Sequence, residues 1–265
     1  MFKHLELRYS EGDLARTLVE SALKKVSELT KVDVVVVGAG PAGLTAAWNL
    51  AEQGFKTVVL ERMLGVGGGI RGGGMLLPCA LIEKEALEIL SKANVKVEKV
   101  NEDVYVIDPT ETMVKIASKA IDSGAIIWPG VQVEDLIVKD GDGKLKVRGV
   151  VINWTAIHEA NWHVDPLMLE SKAVLDATGH DASVLRILAI RCPYLNIKIP
   201  GMSAMNVWKG ESLVVELTGE VVDGLYVAGM SVAEFHNINR MGPVLGGMLL
   251  SGLKAARMIS EKLSG

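Results

Sequence analysis

Gly38-Ala39-Gly40-Pro41-Ala42-Gly43, placed directly after the run Val34–Val37, constrains this chain more than any other feature. A continuous β-branched run is what a parallel strand buried on both faces requires. G-x-G-x-x-G at the end of such a strand is the turn into the helix of a dinucleotide-binding βαβ unit. The first glycine permits the tight turn, the second lets backbone approach a pyrophosphate, and the third lets helix and strand pack closely. Pro41 falls at the first helical position, where its missing N–H does no harm. The helix is expected to run to about Gln53, with Gly54 ending it. Thr57–Leu60 reads as the second strand, and Glu61 closes it about 20 residues after the glycines, where an acid accepts hydrogen bonds from ribose hydroxyls. Phosphates would lie on the helix N-terminus, where free N–H groups and the helix dipole favour anions. Gly38, Ala39, Gly40, Gly43 and Glu61 are therefore the predicted nucleotide-binding residues. Arg62 is placed either to meet phosphate or adenine or to stand in solvent. The pattern serves FAD as well as NAD, and a redox cofactor as well as a substrate.

The chain has 265 residues, 49% of them hydrophobic, which is enough for a sizeable core. Its formal net charge of −4 and its lack of a basic run argue against nucleic acid or an anionic membrane surface as partner. Two widely spaced cysteines, Cys79 and Cys192, form neither a disulfide framework nor a metal motif, and the reducing cytoplasm is the expected compartment. No apolar stretch is long enough to span a bilayer.

Leu14, Leu18, Ala22 and Val26 recur at helical spacing over Glu11–Leu29, predicting an amphipathic helix packed on the domain or on a neighbouring subunit. Ile82–Lys92 and Thr112–Ser123 read as helices and Ala125–Trp128 as a strand. Val131–Val138 and Leu145–Ile152 alternate around Asp140-Gly141-Asp142-Gly143, a hairpin signal. Ala173–Asp176 reads as a short strand, the stretch to about Ser212 as irregular, Gly224–Ala228 as a late strand and Gly242–Leu263 as a closing helix. The expected fold is α/β: a single Rossmann-like dinucleotide-binding domain over 1–265, with an inserted β-hairpin or mixed segment at about 95–170. Gly67-Gly68-Gly69 and Gly72-Gly73-Gly74 flank Ile70-Arg71. So many glycines cost backbone entropy, which points to a close approach at this cluster and makes Gly69 a candidate contact.

With VVVVGAGPAGL (34–44), Glu61-Arg62, GGGIRGGGML (67–76), NWHVDP (161–166), DATGHD (176–181) and LYVAGMSVAEFHNINRMGPVLGGMLLSG (225–252), the chain resembles the thiamine thiazole synthase family. The matches span most of the chain, and Asn239-Arg240-Met241-Gly242-Pro243 is the most specific. The resemblance implies that NAD is consumed as a substrate. It loses nicotinamide, glycine condenses with the opened ADP-ribose, sulfur is added, and cyclisation gives ADP-5-ethyl-4-methylthiazole-2-carboxylate. His163 stands where eukaryotic-type members carry a sulfur-donating cysteine. An imidazole has no sulfur to give, so the resemblance is to the archaeal type, which uses free sulfide with Fe(II). It also implies a homo-oligomer, an octamer, with sites shared between subunits.

Asp165 and His180 are the expected iron ligands on that resemblance, since a carboxylate and an imidazole with open positions suit ferrous iron. From the residues alone they read as a turn residue before Pro166 and an ordinary histidine. His163 is a third candidate ligand. Arg240 is the expected clamp on the glycine carboxylate, its planar fork matching a carboxylate bidentately; the alternative is a structural pair with Glu234. Met230 and Val133 are expected beside the substrate, and Trp162 as a wall. Asp181 is expected to cap the helix near Ser183, and the remaining tryptophans to pack. The competing readings are an FAD-dependent oxidoreductase, an enzyme like ribose-1,5-bisphosphate isomerase, and a non-catalytic nucleotide sensor.

Overall fold

The computed structural model describes residues 9–141 and 144–265, so His4, Asp142 and Gly143 lie outside the described residues. Its strands are β1 (Val34–Val37), β2 (Thr57–Glu61), β3 (Ala80–Glu83), β4 (Val97–Lys99), β5 (Val104–Ile107), β6 (Ile126–Pro129), β7 (Val131–Gly141), β8 (Lys144–Trp154), β9 (Leu167–Glu170), β10 (Ala173–Asp176), β11 (Gly219–Val222) and β12 (Leu225–Val227). Its helices are α1 (Glu11–Leu29), α2 (Pro41–Glu52), α3 (Leu87–Lys92), α4 (Pro109–Asp122), α5 (Thr155–Glu159), α6 (Ser183–Arg191), α7 (Val207–Glu216), α8 (Met230–His236) and α9 (Gly246–Ser264).

The glycine turn sits at the centre of the main sheet. β1 pairs in parallel with β2 on one side and β10 on the other. β6 extends the sheet beyond β2 and β12 beyond β10, both in parallel, and β11 closes that edge antiparallel, giving the order β11-β12-β10-β1-β2-β6. Successive side chains of a strand point to opposite faces, and the core divides accordingly. Val34, Val36 and Val59 pack with the helical layer of α2, α4 and α9. Val35, Val37 and Val58 pack with Val133, Val147, Val150 and Leu169 of the antiparallel sheet β7-β8-β9. Each fully buried valine contributes about 1.5–3 kcal/mol, so β1 is held from both faces. The fold is the Rossmann-type α/β architecture expected.

The hairpin signal is realised as the antiparallel β7–β8 ladder from Val131↔Trp154 onward, with two register shifts along it. Four expectations change. Ile82 and Glu83 are strand residues, paired with Tyr105 and Val104 of β5, and the helix begins only at Leu87. The apolar spacing that mimicked a longer helix arises because Ile82 and Ala86 both face the core. A three-stranded sheet, β3-β5-β4, thus precedes the hairpin sheet, and β6 between the two belongs to the main sheet. The stretch read as irregular contains α6 and most of α7, whose internal Gly210 is needed because a Cβ there would come within 2.6 Å of the Asn239 carbonyl oxygen. The closing helix starts at Gly246 and is preceded by α8.

α1 forms as expected, with a capping box in which Ser10 Oγ accepts from Asp13 N–H. It does not pack on its own domain: only Leu29 is buried, and Leu14, Leu18, Val19 and Leu23 are exposed. Trp154, Trp162 and Trp208 are likewise exposed rather than packed. Among the described residues, no helix is long and apolar enough to cross a membrane.

Candidate functional site

The sheet's parallel strands end at one cleft of about 600 Å³. Ligands bind at this edge in open α/β sheets because the first-turn amides of the following helices converge there. Gly38, at φ +102°, opens its floor. A Cβ at that position would lie 2.4 Å from the Ala177 carbonyl oxygen, so only glycine lets β1 and the end of β10 approach. Gly40 caps α2 without a side chain, with Pro41 in the first turn. A Cβ at Gly40 would meet nothing within 4 Å, because that space is the cleft. The open N–H groups of the first turn of α2 therefore face a volume suited to an anion. Gly43 does not line the cleft; a Cβ there would come within 2.0 Å of the Gly38 carbonyl oxygen, so its role is to close the turn.

Glu61 is buried at the end of β2. Its Oε2 accepts from Ala39 N–H and its Oε1 from Met63 N–H, both at 2.9 Å. An ionised carboxylate has about four acceptor positions, so two remain for ribose hydroxyls. The glycine cluster folds back onto the turn: Gly67 N–H donates to the Ala39 carbonyl at 2.7 Å, and a Cβ on Gly68 would stand 3.1 Å from Gly40 Cα. The close approach that those glycines signalled is made by the chain's own backbone, with Gly69 left facing the cleft.

On the opposite wall, Thr178, His180 and Asp181 follow β10, and Met230 and Arg240 follow β12. Asp176 is fully buried and organises this wall. It accepts from Thr178 N–H and Oγ1–H, from Leu185 N–H and from Ser231 Oγ–H. Asp181 does not cap α6 as expected. Ser183 N–H bonds to Thr178 Oγ1 at 2.8 Å instead, and Asp181 pairs with Arg62 at 2.8 Å across the cleft mouth. His180 Nδ1 lies 3.7 Å from Glu234 Oε1, and Arg186 pairs with the other Glu234 oxygen at 3.5 Å. Glu234 is thus engaged elsewhere than with Arg240, whose side chain finds no ion pair among the described residues.

The cleft brings together Gly38, Gly40, Glu61, Arg62, Gly69, Val133, His180, Met230 and Arg240 of the predicted set, with Ala39 contributing its backbone from behind. It does not include His163, Asp165 or Trp162. These lie in the exposed stretch 160–166 between α5 and β9, where Asn153 Nδ2–H donates to the Val164 carbonyl at 3.1 Å. Asp165 forms no ion pair with His180 within one chain, and the described residues contain no cluster of three His, Cys, Asp or Glu groups able to hold a metal. Sequence reasoning missed Met202 and Gln132 in the lining. Gln132 was reachable as the neighbour of Val133; nothing near Met202 marked it.

The parallel sheet, the glycine turn and the acid at the end of β2 define a protein of the Rossmann-type dinucleotide-binding fold. The chain belongs to the Thi4 family, whose sequence profile matches residues 15–245. It is similar to the thiamine thiazole synthases of Archaeoglobus fulgidus, 49% identical over 96% of both chains, and of Sulfolobus acidocaldarius, 46% identical over 96% of this chain and 95% of that one. The crystal structure of Thermovibrio ammonificans THI4 superposes with a TM-score of 0.93 at 36% identity, covering 98% of this chain and 100% of that one. L-proline dehydrogenase from P. horikoshii, at 13% identity and a TM-score of 0.52, shares the fold alone.

Proposed function

We propose that this chain is an iron-dependent thiamine thiazole synthase that consumes NAD, glycine and free sulfide and releases nicotinamide. The observation that supports it most is Arg240, without an ion pair among the described residues, in the same cleft as the G-x-G-x-x-G turn, in a chain 49% identical to a thiamine thiazole synthase. In this reading, the first turn of α2 holds the pyrophosphate of NAD, Glu61 accepts from the adenosine ribose, and Arg240 clamps the glycine carboxylate. His163 stands in place of a donor thiol, and neither Cys79 nor Cys192 lines the cleft, so sulfur enters from solution.

The donors present fit ferrous iron in kind but not within one chain. His180 reaches the cleft and Asp165 does not, so Asp165 of a second copy would complete the set. A carboxylate beside the second ring nitrogen, as Glu234 is to His180, is the usual orienting partner of a metal-bound imidazole. Iron bound there would supply an open Lewis-acidic position for substrate and sulfide. The uncovered apolar stripe of α1 supports assembly into a homo-oligomer.

The test is anaerobic turnover of purified protein with NAD, glycine, Fe(II) and sulfide. The expected result is many adenylated thiazoles per chain with an unchanged protein mass. Loss of one sulfur from Cys79 or Cys192 per product formed would refute the sulfide route.

A further inference from the structure

A buried and a half-buried carboxyl group meet at the start of α9, away from the ligand contacts described above. Glu211 of α7 is 5% exposed, and its Oε2 accepts from Gly247 N–H at 2.6 Å. Glu83, at the end of β3, reaches the same place. A Cβ on Gly246 would fall 1.8 Å from Glu83 Oε2, and one on Gly247 would fall 2.4 Å from Glu211 Oε2. The two glycines are thus the room into which the carboxyls fit. Glu83 is the charge that acts on Glu211, and buried Glu83 Oε2 and Glu211 Oε1 have no hydrogen-bond partner among the described residues. Two acceptors can face each other in this way only with a proton between them.

The segment 239–245, which carries Arg240 along the cleft wall, lies between the two elements so joined. On the α7 side, Asn206 N–H donates to the Arg240 carbonyl at 3.1 Å, and Gly210 packs under the Asn239 carbonyl. On the β3 side, Leu81 N–H donates to the Pro243 carbonyl at 3.1 Å, and Leu245 N–H donates to the Leu81 carbonyl at 3.0 Å. Glu83 is two residues beyond Leu81, and Glu211 follows Gly210.

We propose that Glu83 and Glu211 are positioning residues: a proton shared by their carboxyls clasps β3, α7 and the first turn of α9 together, and so holds the Arg240 segment in the cleft. The Gly247 amide is the one group that favours charge on Glu211. The neighbouring cations are engaged elsewhere, Lys84 with Asp103 and Lys254 with the Val215 and Glu216 carbonyls. Burial, then the Glu83 carboxylate, pushes the Glu211 carboxyl up to about 9. The clasp is therefore closed at neutral pH and opens as the pH rises through that value, when two carboxylates would face each other without a proton.

Hydrogen exchange tests this without reference to catalysis. The reporters are the amides of Leu81, Leu245 and Gly247, followed in the full-length protein from pH 7 to 10. In the wild type, protection at these amides, corrected for base-catalysed exchange, is expected to fall at least tenfold. In E211Q, whose amide supplies the bridging hydrogen permanently, protection should stay level. E83Q offers the same hydrogen from the other side and serves if E211Q does not fold. With glycine and NAD turning over, the KM for glycine should rise with the loss of protection in the wild type while the KM for NAD does not, and E211Q should keep its neutral-pH value. Parallel loss of protection in wild type and variant would overturn the clasp. That arm is independent of the proposed reaction; failure to form a thiazole would count against the function alone.

Discussion

Glu61→Gln separates two roles that the sequence motif merges. The motif assigns Glu61 to a ribose, whereas the structure shows both of its oxygens already accepting backbone N–H groups at 2.9 Å, one from Ala39 inside the glycine turn and one from Met63. A glutamine keeps one acceptor and turns an NH₂ donor toward the other N–H. One charge-assisted bond is lost, a second is weakened to a neutral one, and a buried donor is left facing a donor. Hydrogen bonds to charged groups are worth about 1.5–3 kcal/mol each, so the total cost is about 2–4 kcal/mol. With an unfolding entropy of about 2.1 cal/mol/K per residue, the 265-residue chain should lose about 4–7 °C of Tm. Thermal unfolding of ligand-free protein measures this directly. A Tm within a degree of wild type, together with weakened NAD binding, would show that Glu61 serves the ribose alone and that the turn does not lean on it.

Arg240→Lys keeps the charge but loses the planar fork, and Arg240→Ala loses both. The KM for glycine should rise in that order, by about thirtyfold or more for alanine if ~2 kcal/mol of bidentate bonding is lost, with NAD binding unchanged; steady-state kinetics in each substrate decides. Asp165→Ala and His180→Ala should each abolish iron retention and turnover. Co-assembled in equal amounts, they should regain about a quarter of the wild-type sites by random pairing of neighbouring copies. A mixture that stays inactive would place both donors in one chain.

The glycine-turn half of the cleft was legible because its signals are local and covalently close. Strand, glycines, helix and acid fall within Val34–Glu61, where Gly38 and Gly43 answer contacts that the backbone makes necessary and Gly40 leaves the cleft open. The resemblance named Arg240 and His180, and the structure brings both to the cleft at the edge where the parallel strands deliver their C-terminal ends. The β3-β5-β4 sheet was not, because Ile82 pairs with Tyr105 across a segment that contains α3 and β4, while its own neighbourhood carries a helical spacing. α7 fell partly in the stretch read as irregular, and its internal Gly210 finds its reason only in the distant Asn239 carbonyl packed against it. His163 and Asp165 could be named from the motif around them, but within one chain they stand exposed and outside the cleft that His180 lines, and nothing in their local sequence marks that separation.

The last helix carries a consequence for how the protein comes into being. A Cβ on Gly252 of α9 would lie 2.2 Å from the Ala42 carbonyl, Ser251 Oγ accepts from Gly229 N–H at 2.8 Å, and Met248 forms part of the cleft wall. The glycine turn leaves the ribosome well before the surface it must rest against. Until α9 has followed, the α2 surface that it covers remains open to water and the cleft lacks the wall that Met248 supplies.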